Sequence, residues 1–156
     1  RRGCPMIVPA AGKDQRRAVF GAVDYGSGEV IWQLHLKKGG DAFAAFLAQI
    51  GQTWPDEQLV LVMDNVSYHR SAVVRAWWAE QEGRITALWL PVYTPNLNLM
   101  ERVWRFLKQK LACHRFWADV EGLEAAAATL LDRLEAHFHA DTSPGIRLVN
   151  NFCEAA

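Results

Sequence analysis

Apolar residues follow three rhythms along this chain, and each rhythm predicts a kind of element. AVFGAVDY over 18–25 and EVIWQLHL over 29–36 are β-rich, and in the second run Val30, Trp32, Leu34 and Leu36 alternate with mostly more polar partners. Alternation by two buries one face of a strand. Gly26-Ser27-Gly28 lies between the runs, and its glycines can take the positive φ of a tight turn, so an antiparallel hairpin is predicted. A spacing of three and four then takes over. Phe43, Phe46, Leu47 and Ile50 mark one side of a helix over 42–53, with Asp41 as N-cap and Trp54-Pro55 as stop. The third rhythm is LVLVM over 59–63, wholly apolar, the mark of a strand buried on both faces. It breaks off abruptly in Asp64-Asn65.

Helical spacing returns over 70–82, with Val73, Val74, Trp77 and Trp78 inward and Gly83 past the end. ITALWL over 85–90 reads as another buried strand, and a Pro-bounded loop over 91–98 leads into a helix over 99–113. There Met100, Trp104, Leu107 and Leu111 form one stripe. A longer helix over 118–139 would bury Val120, Leu123, Ala127, Leu130, Leu134 and Phe138. Residues 1–15 read as a loop with one short strand at 6–8, and the tail from Asp141 as a turn and a last short helical turn. The order predicts a single α/β domain, a mixed sheet with flanking helices. Its parts are the loop over 1–15, a core over 17–115, and a helix and tail over 118–156. Working residues in such sheets sit at the carboxyl ends of strands, where Asp64 stands.

Composition narrows the classes. The 156 residues are 51% hydrophobic and carry 17 basic against 17 acidic side chains, which excludes disorder of the whole chain and a polybasic tail. No apolar run approaches the roughly 20 residues that cross a bilayer, so no membrane role is expected. Three cysteines, far apart and never as CxxC, argue against a disulfide scaffold or zinc ribbon and for a reducing, cytoplasmic setting. Within the neutral whole, residues 101–115 hold Arg102, Arg105, Lys108, Lys110 and Arg115 against the single acid Glu101. This is the best candidate for a phosphate-contacting face, with Arg102, Arg105 and Lys108 nearest that acid in sequence.

Candidate chemistry gathers in two stretches, VLVMDNVSYH over 60–69 and LWLPVYTPNLNLMERVWRFLKQKL over 88–111. Asp64 stands at the lip of a buried strand, and the rigid loop delivers Glu101 in the first turn of a helix. A helix and a strand fit between them, so both carboxylates can meet at one sheet edge. Hard oxygen donors without a Cys or His companion favour Mg²⁺ or Mn²⁺ over zinc. Two such ions about 3.5–4 Å apart can activate a water and stabilise the leaving oxygen of a phosphodiester. Asn98 reads as a helix N-cap, and His69 as a local hydrogen-bonding residue rather than a ligand. Asp24 reads as hairpin turn chemistry, not as a third ligand. His137 and His139 read as surface residues.

These two stretches resemble the second and third catalytic segments of the mariner-like superfamily of DDE transposases, in its bacterial insertion-sequence branch. That family shows a strand followed by Asp-Asn-x-x-x-His, then Leu-Pro-x-Tyr-Ser-Pro-x-Leu-Asn-Pro-Ile-Glu-x-x-Trp-x-x-x-Lys. Here stand Asp64, Asn65 and His69, then Leu90, Pro91, Tyr93, Thr94, Pro95, Leu97, Asn98 and Glu101, with Trp104 and Lys108 beyond. Thr94 replaces Ser, and Leu99-Met100 replaces Pro-Ile. The resemblance implies an RNase H-like fold and metal-dependent cleavage and transfer of double-stranded DNA at transposon ends, with a TA target. It also implies two Mg²⁺ (or Mn²⁺) ions held by Asp64, Glu101 and a further Asp, supported by Asn65, His69 and Asn98. A homodimer is a further expectation.

One departure bears on the fold. The family's first Asp lies on the first, central strand, upstream of a loop that Arg2-Gly3-Cys4-Pro5 resembles the end of. The expectation is therefore a sheet that lacks its first central strand. Either the hairpin pairs directly with 59–63, or another segment or chain fills the gap. The rival functions are a repurposed fragment that binds DNA or a partner without chemistry, and another RNase H-like nuclease.

Overall fold

The computed structural model describes residues 17–81, 83–91, 100–111, 117, 119–136 and 147–155. Strands β1 (Ala18–Asp24) and β2 (Val30–His35) form the predicted hairpin, antiparallel with Gly21 opposite Trp32. Of the two turn glycines it is Gly28 that takes positive φ, at 75°. Helix α1 (Gly40–Thr53) follows. Its four predicted apolar positions, Phe43, Phe46, Leu47 and Ile50, are all fully buried. Burial of this kind is worth about 1.5–3 kcal/mol per side chain. Asp41 is not the cap: Gly39 holds that position and Asp41 lies in the first turn, where a carboxylate still favours the helix dipole.

Strand β3 (Leu59–Met63), a 3-10 turn at Ser67–Arg70, α2 (Ala72–Glu80) and β4 (Ile85–Trp89) come next. The strands are parallel, with Leu61 opposite Ala87. Gly83 takes φ 81° just past α2. Two expectations fail here. Val73 points outward, with Val74 the buried residue of α2. Strand β4 is an edge rather than a doubly buried strand: Ile85 and Ala87 pack toward α1 and α2, while Leu88 on the other face is 52% exposed. An apolar run shows that a strand can be buried, not that two layers will cover it.

Helix α3 (Met100–Leu111) buries Met100, Trp104, Leu107 and Leu111, the predicted stripe. Helix α4 (Val120–Ala136) buries Val120, Ala127 and Leu131, with Leu123, Leu130 and Leu134 partly covered, so its most buried position lies one residue beyond the expected Leu130. The two helices cover the sheet face opposite α1 and α2. Their core includes Val19, Val23 and Val30, whereas Phe20, Ala22 and Ile31 face α1. The helix comes close to β1 at Gly21, where an added Cβ would lie 2.6 Å from Met100 Cε and 2.9 Å from the Trp104 ring. No side chain larger than hydrogen fits there unless the Met100 and Trp104 side chains shift.

The last strand, β5 (Arg147–Ala155), was expected as a helical turn. It enters the middle of the sheet, whose order is β2-β1-β5-β3-β4. It runs antiparallel to β1, with Phe152 opposite Gly21, and parallel to β3, with Val149 opposite Leu61. The gap expected in the sheet is thus filled by another segment of the same chain, and the hairpin does not pair with β3. Two open strand edges on a hydrophobic sheet demand a partner, and β5 satisfies both at once. Among the described residues the five-stranded sheet is continuous, and its central member is the last described strand rather than the first. The predicted strand at 6–8, the loop over 91–98 except Pro91, and Phe138 lie outside the described residues.

Candidate metal centre

Asp64 is the first residue beyond the ladder of β3, whose pairing with β4 and β5 ends at Met63. The Leu90 N–H donates to the Met63 carbonyl at 2.7 Å, pinning the strand one residue before the carboxylate. The chain then passes through an extended Val66 into the 3-10 turn. A well-fixed strand therefore ends in an acidic side chain that is still 26% exposed.

The electrostatics of that side chain are unfavourable to its own charge. Its pKa is raised from 3.8 to about 6, first by burial and next, against the pull of the Val66 backbone N–H bond, by the negative charge of Glu101. Glu101 stands far from Asp64 in sequence, in the first turn of α3, and is the charged side chain that adds to the effect of burial on Asp64. Oxygen Oδ1 of Asp64 is buried and accepts no hydrogen bond. A divalent cation would relieve both conditions, and two carboxylates with no thiolate suit a hard ion whose remaining ligands are water.

His69 lies beneath Asp64, 1% exposed. Its Nδ1 is 3.0 Å from the Asp64 carbonyl oxygen and 3.4 Å from Oδ1. A carbonyl can only accept, so Nδ1 carries the proton and donates. The ring stacks against Phe43 at 4.1 Å and meets Tyr68 edge-on at 4.6 Å. This apolar setting lowers the His69 pKa to about 4, burial outweighing the Asp64 carbonyl bond, so the ring is neutral near pH 7. Sequence spacing placed His69 near Asp64, but the aromatic enclosure that Phe43, Tyr68 and Trp89 build around it has no local signal: α1 and β4 supply it.

Asn65 is exposed beside Asp64, and Asn98 lies outside the described residues. On α3, Arg102, Arg105 and Lys108 are exposed while Glu101 is half-buried, so the helix presents basic groups outward beside its acidic first turn. Asp24 behaves differently from Asp64. It is 2% exposed and its carboxylate accepts from the Gly26 N–H at 3.1 Å, the Ser27 N–H at 3.3 Å and the Ser27 hydroxyl at 2.7 Å. It organises the hairpin turn, as its Gly-Ser-Gly context suggested. Among the described residues no three His, Cys, Asp or Glu side chains converge on a point that could hold a metal. None of the described helices is long and apolar enough to cross a membrane.

Comparison with known proteins gives this geometry a setting. A family described as DDE superfamily endonuclease matches residues 1–124. A protein of Shigella sonnei, "Insertion element IS630 uncharacterized 39 kDa protein", is 26% identical over 121 residues, covering 74% of this chain and 35% of that protein. "Uncharacterized protein y4pE/y4sA" of Sinorhizobium fredii (strain NBRC 101917 / NGR234) is 27% identical over 84 residues, 53% of this chain and 58% of that protein. The chain thus spans about a third of the first relative and somewhat over half of the second.

Proposed function

The chain belongs to the DDE superfamily endonucleases, of the insertion-element transposase type, and from that premise we propose that Asp64 and Glu101 are its cation-holding pair for cutting DNA phosphodiesters. The observation that carries this reading is the Asp64 carboxylate fixed at the end of β3 with its Oδ1 buried and without a hydrogen-bond partner, Glu101 standing in the first turn of α3. The Glu101 charge disfavours that of Asp64. A protein gains nothing in stability from that arrangement and gains a binding site for a cation. The sheet supports an RNase H-like reading: an antiparallel hairpin, a central strand antiparallel to it, and a parallel pair beyond.

A divalent ion bound there supplies Lewis acidity, activating a water or a DNA 3′-hydroxyl and stabilising the departing oxygen. The protein's own groups hold and orient. Asp64 and Glu101 would grip the ion from the end of β3 and from the first turn of α3. Arg102, Arg105 and Lys108 meet the phosphate backbone in a salt-dependent contact. Asn65 stands exposed beside Asp64, where it can support the strand end. In the whole transposase the same site would join the cut transposon end to a TA target, with two Mg²⁺ or Mn²⁺ ions and a third carboxylate from outside the described residues.

The test separates binding from cutting. Titration of the 156-residue chain with Mn²⁺ should saturate a site that Asp64→Asn and Glu101→Gln each weaken about tenfold or more, read apart from any nicking of supercoiled DNA. Absence of Mn²⁺ binding, or binding indifferent to both substitutions, overturns the reading. The rival, a DNA-binding fragment without chemistry, draws on the absence of a three-group cluster among the described residues. It predicts DNA affinity with no cation dependence at all.

A further inference from the structure

We infer that His69 is a positioning residue for Asp64: its Nδ1–H clamps the main chain at the acid's own carbonyl, 3.0 Å away, without forming a hydrogen bond to the carboxylate oxygen Oδ1. The inference rests on the reading of Asp64 as a cation-holding group. Its basis is what happens to the backbone at the end of β3. The ladder to both neighbours stops at Met63, and residues 64–66 belong to no strand or helix. A carboxylate on such a segment keeps its place only if something else fastens it. Two donors do so: the Val66 N–H, which bonds the carboxylate, and the His69 ring, 3.0 Å from the carbonyl.

The ring is itself held from three directions. Its backbone N–H donates to the Val66 carbonyl at 3.1 Å, closing the 3-10 turn. Phe43 of α1 stacks on it at 4.1 Å, Tyr68 of the same turn meets it edge-on, and Trp89 of β4 lies 6.3 Å away. In this enclosure the ring turns Nδ1 toward the Asp64 carbonyl. The core of α1 is thereby connected to the rim of the sheet through one imidazole. A histidine that only filled space would have no reason to place its donor there.

Donor type matters as much as position. A lysine or arginine at this point would pair with the carboxylate and cancel the charge a cation needs. A neutral ring N–H can hold the main chain without doing so. Nitrogen Nε2 is buried and takes no partner in the described structure. The ring's polar engagement therefore runs through Nδ1 alone. Outer groups that orient metal ligands commonly change affinity by about 10–100-fold when removed.

The experiment uses the full chain and needs no activity. In the wild type, long-range ¹H–¹⁵N spectra should show His69 with its proton on Nδ1. A proton on Nε2 overturns the clamp outright. His69→Phe keeps the stacked ring and loses the donor, and His69→Asn restores an N–H near the position of Nδ1. Mn²⁺ affinity should fall about tenfold or more in the Phe variant and return to within about threefold of wild type in the Asn variant. Backbone ¹⁵N relaxation at residues 64–66 should loosen in the first and tighten in the second. Equal order and equal affinity in the Phe variant and wild type overturn the inference. Should wild type bind no Mn²⁺, the cation reading fails by itself, and the tautomer and relaxation still decide the clamp. Those two measurements also decide it if the Phe variant does not fold.

Discussion

Asp24 and Asp64 stand in similar places, one ending β1 and the other just beyond β3, yet their surroundings treat a carboxylate in opposite ways. Three donors within three residues meet Asp24. Asp64 keeps a buried oxygen without a donor, a neighbouring negative charge from Glu101, and a pKa pushed up to about 6. A carboxylate whose work is structural is satisfied by its own turn. One whose work lies elsewhere is held in place but left short of partners, and the fold bears that cost. The contrast identifies the candidate site better than exposure does, because Asp24 is the more buried of the two.

The comparison breaks most visibly at Asp24. Asp24→Ala removes the acceptor of two backbone N–H groups and one hydroxyl, and should cost about 2–4 kcal/mol, read as a lower urea midpoint with unchanged cation binding. A loss within about 0.5 kcal/mol would mean that the turn does not depend on its carboxylate.

Asp64→Asn should do the reverse. Because the folded pKa of about 6 lies above the ordinary 3.8, the protonated acid is the form that folding favours. Its stabilising contribution is complete below about pH 4 and is lost as pH rises through about 6. In EDTA above pH 6 the Asn variant should therefore be about 1–2 kcal/mol more stable than wild type, the gap closing toward pH 4. Parallel stability profiles for the two proteins across that range would remove the electrostatic basis of the contrast.

The smallest effect sharpens it. Val66 already has φ −76°, which proline accepts, so Val66→Pro deletes the N–H that bonds the Asp64 carboxylate with little backbone cost. The Asp64 pKa should rise further, by about one unit, in a ¹³C carboxyl titration. A fall would show that another donor governs it.

Much of this was legible before any coordinates. The apolar faces of α1 and α3 are the ones their spacing predicts, and the run LVLVM ends where β3 ends. These are local rules: a helix or strand must turn its apolar side inward whatever lies there. Asp64 and Glu101 were legible as candidates through motif resemblance, and the turn chemistry of Asp24 through its glycines and serine. What escaped depended on distant company. Leu88 is exposed because β4 is an edge, and no feature of ITALWL says so. The enclosure of His69 needs Phe43 and Trp89 from two other elements.

β5 is the clearest case. Its residues carry weak strand alternation and were expected as a helical turn. Its place between β1 and β3 follows from two hydrophobic edges that need the same partner. Amino-acid order by itself determined where α1, α3 and β3 form and which sides of the two helices are apolar, because those follow from side chains a few residues apart. Only the tertiary structure decided which strand is central, which acid is satisfied and which is left wanting, because hydrogen-bond partners and burial come from segments the chain brings together when it folds.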